Sequence, residues 1–99
     1  MNTTQRLKEQ TDDEVVELIE QTVDEDEVVD KAINIMEVSI EDGKHYAREA
    51  KSIAAGVVYI AYCLANYDVT ETEIADRYNV TPLTLHRAEQ ATLDTLGLQ

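Results

Sequence analysis

The sequence predicts an all-α domain: a bundle of five helices around a buried central one, with the last two forming a helix-turn-helix. Three observations carry that prediction. The stretch from Ser52 to Ala65 contains no charge and offers apolar or small side chains on every helical face. A surface helix shows a single apolar stripe, so a helix that is apolar all round is enclosed by other elements or by lipid. Helix-start signals recur at Thr11-Asp12-Asp13-Glu14, at Asp24-Glu25-Asp26-Glu27 and at Thr70-Glu71-Thr72-Glu73, each a capping residue followed three positions later by Glu. Asn79-Val80-Thr81-Pro82 then reads as the stop of one helix and the immediate start of another, because Asn tolerates positive φ and Pro is at home in a first helical turn.

Taken in order, residues 1–10 carry no periodic apolar pattern and are expected as a loose tail before a single domain over 11–99. The first helix starts at Thr11, with its acids favoured by the helix dipole. Val15, Leu18, Ile19 and Val23 form its inward stripe. The second starts at Asp24, and Val29, Ala32, Ile33, Met36 and Ile40 continue the pattern. Val28 and Ile35 widen that face, so this helix should meet two neighbours. Gly43 is the expected stop. The four acids of 24–27 lack the alternating ligands and the glycine of a calcium loop, and helix capping accounts for them.

The central helix is expected from about Tyr46 to Asn66. Its uncharged run falls short of the roughly 18 apolar residues that a membrane span needs, and Arg48, Glu49 and Lys51 precede it. No membrane partner is therefore expected. Ala54, Ala55, Gly56 and Ala61 would let neighbouring backbones come close, while Ile53, Val57, Val58, Ile60 and Leu64 fill the core. Cys63 lies in the same run and reads as a small buried hydrophobe without reactivity. Tyr59, Tyr62 and Tyr67 need hydroxyl partners or water, which places them where the helix emerges. His45 has no Cys or His at ligand spacing and reads as a surface residue.

From Thr70 onward the chain spells helix, tight turn, helix, within 70–96. Ile74, Ala75 and Tyr78 point inward from the first helix; Leu85, Ala88 and Thr92 or Leu93 do so from the second. Thr81 caps the second helix and Pro82 opens it. Pro82, Leu83, His86, Arg87 and Gln90 are left facing out. In a helix-turn-helix of this kind the second helix enters a major groove with its N-terminal residues against base edges.

The bulk numbers bound what such a domain does. Ninety-nine residues allow one core, and five Tyr with no Phe or Trp mean that the core is built from Val, Ile, Leu and Ala. One cysteine excludes an intramolecular disulfide and a thiolate metal cluster. Twenty-one acids against eight bases give a net charge of −13. That field repels nucleic acid at ordinary salt. An acidic, solvated surface suits a salt-loaded cytoplasm, such as that of a halophilic archaeon; an acidic patch for a basic partner is the competing reading. The first residues contain no apolar signal region, so a cytoplasmic location is expected. No catalytic triad is spelled out, and the scattered Gly43, Gly56 and Gly97 make no phosphate cradle. Neither enzyme activity nor a cofactor or metal site is expected.

The pattern Thr70-x-x-Glu73-Ile74-Ala75, four residues, then Val80-Thr81-x-x-Thr84-Leu85, preceded by an Ala-rich helix with Val58-Tyr59 and Cys63, resembles the cyclin-like repeat of the archaeal transcription factor B and eukaryotic transcription factor IIB family. The resemblance spans roughly residues 11–98 and implies a five-helix cyclin-like fold with the third helix central. It further implies a recognition helix that reads a promoter element beside the TATA-binding protein. Family members carry two repeats and a zinc ribbon, whereas this sequence holds one repeat and one cysteine, so a complete initiation factor is not expected.

Two functions follow. In one, the domain is a small transcription regulator that binds DNA through Thr81, Leu83, Thr84, His86, Arg87 and Gln90, with Arg87 on a guanine edge, His86 on phosphate or base, and the two threonines on the backbone. A homodimer would supply the second half-site. In the other, the bundle is an acidic protein-interaction module of the transcription machinery without DNA binding, meeting a basic partner through the helices around 24–30 or through the last helix.

Overall fold

The structure is a computed structural model and describes residues 3–41 and 49–97. These form five helices and, among the described residues, no strand: α1 Thr3–Thr22, α2 Asp26–Glu41, α3 Ala50–Leu64, α4 Glu71–Arg77 and α5 Pro82–Leu96. Helix α3 packs against all four others. It is buried from Ser52 through Val58 and again at Ile60, Ala61 and Tyr62, as a helix apolar on every face requires.

The core gathers one stripe from each surrounding helix. Val15, Ile19 and Val23 come from α1 and the turn after it, Val28, Ala32, Ile35 and Met36 from α2, Ile74 and Ala75 from α4, and Leu85 and Ala88 from α5. Ile53, Val57, Val58 and Ile60 meet them from α3. Helices α3 and α5 approach closely at Gly56. A Cβ placed on Gly56 would stand 2.9 Å from the Ala88 Cβ and 2.9 Å from the Glu89 amide nitrogen, so the two helices cross at a point where only a hydrogen fits.

The helix ends show the local chemistry at work. Thr70 Oγ1 accepts the Glu73 amide at 3.1 Å, and Thr81 Oγ1 accepts the Thr84 amide at 3.1 Å; each satisfies a donor that a helix start leaves without a partner. Helices α3 and α4 stop in the same way. Asn66 (φ 67°) and Asn79 (φ 56°) take the left-handed conformation. The Tyr67 amide then donates back to the Tyr62 carbonyl at 3.0 Å, and the Val80 amide to the Ala75 carbonyl at 3.0 Å. This is the paired-bond helix terminus in which Asn substitutes for Gly.

Several expectations are corrected. Helix α1 begins at Thr3, so residues 3–10 belong to it and Thr11 lies inside a helix instead of capping one. Helix α2 begins at Asp26, with the Glu25 carbonyl, not a capping Asp24, receiving the Val28 and Val29 amides. The central helix is shorter than 46–66. Glu49 is extended, its carbonyl receives the Ser52 and Ile53 amides, and the left-handed turn at Asn66 ends the helix after Leu64. Leu64, expected in the core, is 51% exposed, and Cys63, expected buried, is exposed. Both lie in the last turn of α3, immediately before the chain reverses at Asn66, where the enclosing helices no longer cover every side. The stop at Gly43, the side chain of Ile40 and the position of His45 lie outside the described residues.

Candidate nucleic-acid interface

Helix α4, the four-residue connection 78–81 and helix α5 are held to the bundle by tyrosines as well as by the core. The Tyr62 hydroxyl donates to Glu25 Oε1 at 2.9 Å and accepts from Arg77 Nη1 at 2.9 Å. The Arg77 guanidinium also lies 5.3 Å from the centre of the Tyr62 ring, within cation–π reach. Tyr67 packs edge-on against Tyr62, with ring centres 5.4 Å apart, and donates to Glu27 Oε1 at 2.6 Å. Tyr78 shares a hydrogen bond with Thr22. The end of α4 is thus tied to the α1–α2 turn. Of the two arginines of the α4–α5 pair, Arg77 is committed to that task.

The start of α5 is open to solvent. Thr81, Pro82, Leu83, His86, Arg87 and Gln90 are exposed and Thr84 is half-buried; Leu83 is 57% exposed, unusual for its type. Of the six residues expected on DNA, the two threonines also bond to each other. Thr81 Oγ1 donates to Thr84 Oγ1 at 2.9 Å, which leaves the Thr84 hydroxyl, not that of Thr81, with a hydrogen to give. Among the described residues no ion pair engages Arg87. Thr81 and Thr84 line an open depression of about 350 Å³ together with Glu49, Lys51, Ser52, Asn79 and Val80. Lys51, half-exposed beside Glu49 at 3.8 Å, is therefore a cation at this site that sequence reasoning assigned only to the helix approach; the twenty-nine residues between it and Thr81 gave no signal that the two line one depression.

His86 sits differently from its expected role. Its Nδ1 lies 3.1 Å from Glu71 Oε2 and 3.5 Å from Glu89 Oε2. Glu89 is only 8% exposed. Loss of water raises its pKa first and the Glu71 carboxylate raises it further, against the opposing pull of His86 and Gln90. In the sequence Glu71 belongs to a helix-start signal and Glu89 is one of the twenty-one acids. The spacing His86-x-x-Glu89 does place two ligand-type groups on one helical face, but the approach of Glu71 from α4 could not be read from it.

An all-α bundle with a third helix buried along most of its length and a capped helix pair at its end defines a cyclin-like domain of the kind found in transcription factors. The family profile described as "Transcription factor TFIIB repeat" matches residues 5–95, and the chain belongs to that family, one of transcription factors and not of enzymes. Transcription initiation factor IIB 3 of Halobacterium salinarum is 32% identical over 72 residues, which cover 73% of this chain and 23% of that protein. Transcription initiation factor IIB 7 of the same organism is 32% identical over 73 residues, covering 74% and 23%. Transcription initiation factor IIB of Haloarcula vallismortis is 30% identical over 73 residues, covering 74% of this chain and 64% of that sequence. The chain thus spans about a quarter of the two Halobacterium relatives. No solved structure matches it. Among the described residues, no helix is long and apolar enough to cross a membrane.

Proposed function

We propose that this domain works in the transcription machinery as a repeat that lays the N-terminal turns of α5 against DNA, next to a TATA-binding protein or a second copy of itself. The observation that carries the reading is the exposed start of α5. Leu83, Arg87 and Gln90 are solvent-facing, the Thr84 hydroxyl has a hydrogen to donate, and Lys51 stands beside the cap at Thr81. Arg87 suits a guanine edge, Gln90 an adenine edge, Leu83 a thymine methyl, and Lys51 a phosphate. His86 serves less well in this role while two carboxylates hold its ring nitrogen.

Charge decides how such binding works. From Thr70 to the end there are five carboxylates and two guanidinium groups, one of which, Arg77, faces Tyr62. Few phosphates are neutralised, so the domain alone binds weakly and a partner must add contacts. The test is fluorescence anisotropy with random duplexes at several potassium chloride concentrations, with and without TATA-binding protein, alongside light scattering for mass. Saturable binding that weakens with salt and tightens with the partner or on dimerisation supports the reading.

The exposed Leu83 and the carboxylates of Glu71 and Glu89 beside His86 also favour a second reading, an acidic protein-interaction module without DNA contact. Absence of binding to duplexes under every condition, with one defined protein retained from nuclease-treated lysate, would select it.

A further inference from the structure

The residues most in need of a further partner are Glu71, His86 and Glu89. Two carboxylates converge on one ring nitrogen, His86 Nδ1, at 3.1 and 3.5 Å. A single N–H on that nitrogen cannot serve both in good geometry, and it does nothing for the repulsion between the carboxylates themselves. Glu89 makes the conflict costly because its side chain is nine-tenths buried, and a buried charge needs a compensating one. His86 is the one basic group at hand: among the described residues, neither carboxylate forms an ion pair with Lys or Arg.

The ligand-type atoms of the three residues all lie within 4.8 Å of one another. In a tetrahedral zinc site with ligand bonds of about 2.0 Å, neighbouring ligand atoms stand roughly 3.3 Å apart. The two distances from His86 Nδ1 bracket that value. We propose that Glu71, His86 and Glu89 bind one divalent ion of the zinc class, with one imidazole nitrogen and two carboxylate oxygens as ligands and a fourth position open to solvent. A mixed nitrogen and oxygen set suits zinc or cobalt better than magnesium, which prefers oxygen alone. Glu71 is on α4 whereas His86 and Glu89 are on α5, so the ion would clamp the two helices together and cancel the two carboxylates behind the exposed turn of α5. The proposal stands whether or not that turn meets DNA.

The test is calorimetric titration of the metal-free chain with zinc chloride in about 1 M potassium chloride, where diffuse attraction to an acidic surface is screened. Cobalt chloride, followed by visible absorption, and magnesium chloride serve as parallel probes. One zinc per chain is expected, with a cobalt absorption band, a raised melting temperature and no saturable magnesium binding. Glu71→Gln and His86→Gln change partly exposed side chains and should stay folded by circular dichroism while losing at least about tenfold in zinc affinity. Glu73→Gln should leave it unchanged. Absence of a saturable zinc site in the parent chain, or equal affinity in the folded Glu71→Gln and His86→Gln variants, would overturn the proposal.

Discussion

Gly56 on α3 and Ala88 on α5 meet so closely that a methyl group on Gly56 would stand 2.9 Å from the Ala88 Cβ. The Glu89 backbone nitrogen, at the same 2.9 Å, cannot swing aside as a flexible side-chain tip would. Alanine favours a helix over glycine by about 1 kcal/mol, yet overpacking a tight contact costs about 1–3 kcal/mol. Gly56→Ala is therefore expected to lower stability overall, read as an earlier urea midpoint with the slope preserved. A later midpoint would mean that α3 and α5 separate freely.

Thr70 and Thr81 each accept one amide at a helix start. Replacing either by Ala is expected to cost about 1 kcal/mol, and Ser should restore most of the loss. Thr81→Ala also removes the donor to Thr84, so it should cost at least as much as Thr70→Ala in the same unfolding experiment.

Val58 is fully buried at the centre of α3. An aspartate there is an unpaired charge in an apolar setting, a penalty of the order of the whole stability of a small domain. Val58→Asp should abolish the cooperative thermal transition in circular dichroism.

The tyrosines set a limit at high pH. The hydrogen bond from Tyr67 to Glu27 is the largest influence on its phenol, followed by loss of water and the charge of Glu27, and together they push its pKa up to about 12. The folded value lies above the ordinary phenol value of about 10, so the folded state holds the proton more tightly. The stabilisation is complete below about pH 10 and is lost as pH rises towards 12. The melting temperature should be level between about pH 8 and 9.5 and fall above 10, and Tyr67→Phe should soften the fall.

Arg77 and Arg87 separate structure from binding. Arg77 donates to Tyr62 and Arg87 is exposed. Arg87→Ala should weaken DNA binding by about 1–3 kcal/mol with the helical circular dichroism intact. Arg77→Ala should instead lower the melting temperature. If Arg87→Ala leaves affinity unchanged, Arg87 does not contact DNA.

What lies within a few residues was legible in the sequence. The caps at Thr70 and Thr81, the left-handed Asn79 and the enclosed run of α3 each follow from one turn of backbone chemistry, and so five helices and the turn between the last two could be read along the chain. Helix periodicity also assigned Ile74, Ala75, Leu85 and Ala88 an inward face. Boundaries were less secure, because a capping signal such as Thr11 to Glu14 can also occur inside a longer helix. The candidate site was legible only as a list of outward residues on α5. Tertiary structure alone decided that Lys51 borders Thr81, that Arg77 is committed to Tyr62 and that Glu71 closes on His86. It also decided that Leu64 and Cys63 escape the core. Each of these depends on how two helices cross and where one ends against its neighbours, a relation set by packing between positions 15 or more apart in the chain and invisible to any local pattern.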